Sequence, residues 1–198
     1  MTTSPFAIAS DPASLEVSDD RAVARQLLRA AVGAGFDEDR QRILELVDEH
    51  PDIAERTCRP GHLTGSAFVV DPSRMTCLML FHTKLQRWLQ PGGHADGDTN
   101  VAHVALREAE EETGIAGLHV VTPAIDVDIH RVDPPKEDAH LHLDVRYLVL
   151  APAGSQPEGN HESQALRWVT EAELVDFDVD DGLRRMAKAG FAAAARFA

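Results

Sequence analysis

The stretch GGHADGDTNVAHVALREAEEETGI, residues 92–115, decides how the rest of the chain is read. No Pro or Gly interrupts it from Asn100 to Thr113, so one helix can run through, and Gly114 stands where a left-handed C-terminal cap belongs. On that helix Glu108, Glu111 and Glu112 fall at i, i+3 and i+4 and share one face. Like charges stacked this closely repel by roughly a few tenths of a kcal/mol per pair. A solvated acidic face is the plain explanation; a bound divalent cation is the other. Mg²⁺ suits such a face, because it is hard, takes oxygen ligands, and is held by a few carboxylates plus substrate phosphates. Ala102, Ala105, Leu106 and Ala109 make a second face, small enough to lie close on a sheet. Gly92 and Gly93 read as a loop whose backbone can approach a phosphate or metal with no Cβ in the way. Asp98 and Thr99 are good N-cap residues for the helix.

These residues resemble the box of the Nudix hydrolases. That pattern is a Gly, five residues, a Glu, seven residues, then Arg-Glu-apolar-x-Glu-Glu-x-Gly-apolar. Gly93, Arg107, Glu108, Ala109, Glu111, Glu112, Gly114 and Ile115 stand at the matching offsets. Thr99 stands where the family has its first Glu; Asp96, Asp98, His94 and Glu162 are the candidates to take over that role. The resemblance implies an α/β (α+β) fold, an α/β/α sandwich around a mixed sheet, and hydrolysis of a pyrophosphate bond with Mg²⁺ or Mn²⁺. It makes Glu108, Glu111 and Glu112 the expected metal ligands, with Arg107 orienting them. The expected substrate is a small phosphorylated molecule, a nucleoside diphosphate linked to another group.

Composition narrows the alternatives. With 33 acidic and 19 basic residues the formal charge is −14, which disfavours nucleic acid and anionic membranes as partners. Hydrophobic content of 43% and charged content of 26% are those of a globular protein. Cys58 and Cys77 are too few for a disulfide framework and lack metal-site spacing, so packing is expected of both. Neither a secretory signal nor a transmembrane run is visible, and a cytoplasmic protein is the expectation.

Outward from the box, residues 1 to about 18 lack any period and are expected to form a loose or only locally packed lead. Asp19 or Asp20 can cap a helix reaching about Val32, and Asp37 can begin a second with Ile43, Leu44, Leu46 and Val47 buried. Residues 1–60 are therefore expected as a lead and helical extension packed on a catalytic domain of residues 61–198; a homodimer through the helices or the sheet is a further expectation. Strands are expected at Ser66–Val70, Met75–Phe81, His119–Val132, His140–Leu150 and Ala165–Val169. A last helix is expected from Asp180 to Phe197, weakened by Gly190.

Candidate chemistry outside the helix is sparser. His94 lies inside the box, where it can touch a phosphate, adjust a ligand or cap the loop. A general base is needed to take the proton of an attacking water; Glu108 is one candidate and Glu162, in the polar loop before Trp168, the other. Asp126, Asp128 and His130 alternate with apolar residues, as do His140, His142 and Asp144, so each run puts polar side chains on one sheet face. With Arg131–Ala139 as the connecting loop, His130 would face His140, Asp128 would face His142 and Asp126 would face Asp144. That array, His142 included, either lines a substrate cleft or binds another metal, or is a solvent-facing polar sheet surface. Two other functions share the expected fold. One is a ligand-sensing or scaffold protein without turnover, which Thr99 favours; the other is an isomerase, for which no cysteine is clearly placed.

Overall fold

The computed structural model describes residues 4–134, 137–161 and 163–198. In chain order the elements are β1 (Ala7–Ile8), α1 (Arg21–Ala30), α2 (Asp37–Glu49), β2 (Gly61–Asp71), β3 (Thr76–His82), β4 (Arg87–Leu89), β5 (Gly92–His94), α3 (Val101–Thr113), β6 (His119–Val132), β7 (His140–Leu150), β8 (Ser163–Thr170), α4 (Glu171–Leu174) and α5 (Asp181–Ala194). Eight strands form one sheet in the order β1-β6-β7-β2-β3-β4, with β5 added to β2 and β8 to β3. The β2–β7 pairing is parallel and the other pairings are antiparallel, so the sheet is mixed.

Alternation along the strands supplies two apolar faces. One face carries Leu63, Ala67, Val69, Leu143, Val145, Tyr147 and Val149, covered by α1, α2 and α3 through Leu28, Ile43, Leu46, Val104 and Ala105. The other carries Phe68, Val70, Met79 and Leu148, covered by α4 and α5 through Leu174, Leu183, Met186 and Phe191. The architecture is the expected sandwich of helices about a mixed sheet. Helices α1 and α2 share one core with the sheet.

Helix α3 lies directly on β2. A Cβ on Gly65 would stand 2.7 Å from the Val101 carbonyl oxygen and 2.9 Å from the Ala105 nitrogen, so two backbones meet where no side chain fits. The small face of α3 permits this: Ala102, Ala105 and Ala109 are all buried. Asn100 caps the helix by accepting from the His103 N–H, and Gly114 closes it at φ 64°. The cap is thus Asn100 and not Asp98 or Thr99, both of which have other partners.

Two expectations are corrected. The lead is not loose: β1 pairs with β6, the Asn100 amide donates to the Ser14 and Glu16 carbonyls, and the Ser18 N–H donates to Asp98. An aperiodic segment has been ordered by partners distant in sequence. Gly92 and Gly93 are not a loop but belong to β5, where Gly93 pairs with Gly65 and Gly92 with Ser66. Helix α5 runs through Gly190, whose missing side chain is the space that Phe68 fills; a Cβ there would lie 2.1 Å from the Phe68 ring. Among the described residues no helix is long and apolar enough to cross a membrane.

Gly65→Ala is expected to lower the unfolding free energy by about 1–3 kcal/mol, the usual range for overpacking. Urea denaturation measures it; an unchanged midpoint would mean that the helix is free to lift.

Candidate functional site

The acidic face of α3 is braced against β5. The Glu108 carboxylate rests on Gly93, where a Cβ would come within 2.4 Å of Oε2. The Arg107 guanidinium donates to Glu108 Oε1 and to the His94 carbonyl, both at 2.7 Å. Glu112 is buried and accepts the Gly92 N–H at 2.9 Å. Glu111 is exposed at the mouth of this face. Burial raises the Glu108 pKa above the ordinary carboxylate value; Arg107 opposes the shift, and the nearby charges of Glu111 and Asp96 add to it. A half-desolvated carboxylate beside like charges is the electrostatic situation that a hard cation relieves, so the donor set fits Mg²⁺ or Mn²⁺. Among the described residues the three glutamates do not all bring an oxygen within 4.8 Å of one another. An octahedral Mg²⁺ spans at most about 4.2 Å between ligand oxygens, so a cation held by all three requires a side chain to turn, whereas one held by fewer takes its other ligands from water and phosphate.

The candidates for the absent box glutamate are differently occupied. Thr99 is buried, and its hydroxyl is shared between the Ser18 and Asp20 carbonyls at 3.0 and 2.8 Å. Asp98 is also buried and engages the Ser18 and Asn100 N–H groups and His103 Nδ1. Both residues hold the N-terminal lead. Asp96 is paired with Arg56 at 2.6 Å, an ion pair that holds its carboxyl below the usual range. Glu162 lies outside the described residues.

His94 and His142 are brought together, but not with Glu108. Alternation along β5 points Gly93 at α3 and His94 at the opposite face of the sheet, where the His94 and His142 rings lie 5.1 Å apart. Burial lowers the His142 pKa to about 2, helped by the surrounding histidines His130, His94, His62 and His140. Burial likewise lowers that of His62 to about 4, with His94 and His140 contributing. His62 and His142 are therefore neutral imidazoles at neutral pH.

The Asp/His strands pair in a register two residues from the expected one. β6 continues through Val132, which faces His140, so His130 faces His142, Asp128 faces Asp144, and Asp126 faces Arg146. The connection is shorter than assumed, and an even slip keeps every polar residue on the same face. Nor is this face solvent-exposed: Asp126, Asp144 and Arg146 are all at most 4% exposed. Arg146 donates to Asp144, Asp126 and Asp128 at 2.8, 2.9 and 2.8 Å. It also reaches the Gly182 carbonyl of α5, and Arg185 of α5 joins Asp126 and Asp128. Burial raises the Asp126 pKa even against these arginines. For Asp128 burial is outweighed by His130, Arg146 and Arg185, which hold its carboxyl well below the ordinary range. Sequence reasoning missed Arg146, although its i, i+2 spacing from Asp144 placed it on the same face.

Comparison with known proteins bears on the family and the fold. The family model of the NUDIX domain matches residues 62–189. A Mycobacterium tuberculosis protein whose name proposes it as 8-oxo-dGTP diphosphatase 3 is 32% identical over 99 residues, covering 48% of this chain and 42% of that one. The chain thus matches less than half the length of that relative. Among solved structures, a Caenorhabditis elegans Ap4A hydrolase in a binary complex aligns with a TM-score of 0.56 at 16% identity, over 68% of this chain and 98% of that one. The Escherichia coli dihydroneopterin triphosphate pyrophosphohydrolase aligns with a TM-score of 0.56 at 16% identity, over 68% and 97%. At these identities the structures show the shared fold.

Arg146→Met leaves Asp144 without a cation and Asp126 and Asp128 with Arg185 alone, and is expected to cost about 3–5 kcal/mol; denaturant unfolding reads the loss, and a change under about 1 kcal/mol would deny the network that role. Thr99→Glu would bury a carboxylate against two carbonyl oxygens. We expect a lower melting temperature and no gain in turnover, measured by calorimetry and by steady-state rates.

Proposed function

The chain belongs to the Nudix family, whose domain model spans most of it, and we propose that it is a metal-dependent pyrophosphohydrolase. Its substrate would be a nucleoside diphosphate linked to another group, cleaved by attack of water at phosphorus. The observation that carries this is the brace at the box: Glu108 on Gly93, Arg107 across Glu108 and the His94 carbonyl, Glu112 on Gly92. It supports a metal face of which Glu108 and Glu112 are already fixed on β5, while convergence of all three carboxylates on one ion requires a side chain to turn.

Glu108, Glu111 and Glu112 would hold the cation, Mg²⁺ or Mn²⁺. When bound, it neutralises phosphate charge and acidifies a coordinated water. The protein's own part is positional. Arg107 holds Glu108 Oε1, which leaves Oε2 over the Gly93 backbone. Glu108 is also a candidate to take a proton from water. Gly93 lets the Glu108 carboxylate approach the β5 backbone closely, and Gly92 does the same for Ser66. Glu162 is the alternative base.

A ligand-sensing protein without turnover is the second reading, favoured by Thr99 in place of the box glutamate. The isomerase is disfavoured, since burial pushes the Cys58 thiol up to about 11 and the Cys77 thiol up to about 12, which leaves neither suited to acid–base work at neutral pH.

The test is a panel of nucleoside diphosphate derivatives and nucleoside triphosphates incubated with the protein, with and without Mg²⁺. Cleavage should require metal, and Glu108→Gln and Glu111→Gln should each lower kcat by about 10²–10⁴-fold. Binding of a panel member without cleavage would establish the sensor instead.

A further inference from the structure

The face of the sheet that carries Asp144 and Arg146 ends in a cluster of imidazoles. His62 on β2 stands directly beside His142 on the parallel strand β7, and His94 on β5 stands beside Thr64, two residues along β2 from His62. Three adjacent strands therefore deliver three rings to one point. The centroids of His62, His94 and His142 form a nearly equilateral triangle, each pair 5.1 Å apart. One ligand nitrogen from each lies within 4.8 Å of the others.

A packed core histidine normally satisfies its ring nitrogens. His62 does not: it is 1% exposed, and neither Nδ1 nor Nε2 has a hydrogen-bond partner among the described residues. Leaving such a group unsatisfied is costly, and a native structure that does so calls for an explanation. The neighbouring rings are tied down. His130 Nδ1 contacts Asp128, and His140 donates its Nδ1–H to the Asp138 carbonyl at 2.8 Å. These two rings pack on the triangle, His140 against His62 and His142, and His130 against His142. The surrounding shell is thus oriented while one His62 nitrogen lies within 4.8 Å of a ring nitrogen of His94 and of His142.

We propose that His62, His94 and His142 form a second cation site, chemically distinct from the helix glutamates, for a d-block divalent ion of the Zn²⁺ class. Three nitrogen donors favour Zn²⁺, Co²⁺ or Ni²⁺ over Mg²⁺, which prefers oxygen. Tetrahedral Zn–N bonds of about 2.0–2.1 Å put donor nitrogens about 3.4 Å apart, so the rings close by little more than about 1 Å. His94 and His142 are only partly buried, whereas His62 is buried and forms the floor. Three histidines leave one tetrahedral position for water or a phosphate oxygen. The site does not rest on the hydrolase reading, since it uses none of the three glutamates.

The test uses the full chain, stripped with chelator and titrated with Zn²⁺ and with Co²⁺. We expect one equivalent that is not displaced by excess Mg²⁺, a tetrahedral Co²⁺ absorption spectrum, and three imidazoles around zinc by X-ray absorption of the wild-type protein. His94→Ala and His142→Ala should weaken that equivalent at least about 100-fold, while Glu108→Gln with Glu111→Gln leaves it in place. An all-oxygen shell overturns the proposal, as does an equivalent that survives both histidine substitutions or vanishes with the glutamates. Because the absorption measurement needs no substitution, a variant that misfolds leaves the question decidable. Loss of hydrolysis in the glutamate variants with zinc retained separates the two sites.

Discussion

The backbone contact between α3 and β2 at Gly65 is the constraint on which the rest of the molecule depends. A helix pressed this closely to a strand has little freedom to slide or rotate, because interiors are packed like crystals. The Val101 carbonyl and Ala105 nitrogen touch the Gly65 position, and two turns further on Glu108 meets Gly93 and Glu112 meets Gly92. Since Gly93 pairs with Gly65 itself, the same few residues fix the helix on the sheet and the carboxylates on β5. Gly65 and Gly93 mark the two points where a side chain would push the helix or its carboxylate away, while Gly92 gives its N–H to Glu112.

The opposite face is stabilised differently. Arg146 and Arg185 join Asp126, Asp128 and Asp144 in a largely desolvated network that also reaches the backbone of α5. Such networks add little net stability compared with apolar packing, since desolvation offsets the attraction. They are specific, however: only one placement of α5 lets Arg146 reach the Gly182 carbonyl while Arg185 reaches Asp126 and Asp128. Apolar contacts through Phe68 and Met186 hold that helix on the sheet, and the charges select its position.

Much of this was legible in the chain. The box spacing located α3, its C-terminal glycine cap and its small-residue face, and alternation found β6 and β7. Where sequence reasoning failed, the deciding partner was distant. The register of β6 on β7 depended on where one turn began, which local pattern does not determine. Arg146 went unnoticed because its three carboxylates are spread over two strands. His62 sits alone in its run, with nothing nearby in sequence to mark it as more than a core residue, and only the parallel pairing with β7 brings it to His142. The N-terminal lead has no period because its order comes from Asp98, Thr99 and Asn100, more than 70 residues away. Glu108 and His94 looked like members of one site; strand alternation separates them.

Strand β5 is three residues long, yet its two faces belong to two different centres, with Gly93 toward the glutamates and His94 toward the imidazoles. Its flanks are pinned to β2, because the Ala67 N–H donates to the Pro91 carbonyl and the Ala95 N–H to the Leu63 carbonyl. In such a strand a shift of one residue exchanges the faces. The segment between Pro91 and Ala95 therefore tolerates neither insertion nor deletion: a single added residue would turn an imidazole into the Glu108 carboxylate and leave a glycine among the histidines. Length, more than the identity of any one side chain, is what this part of the gene must preserve.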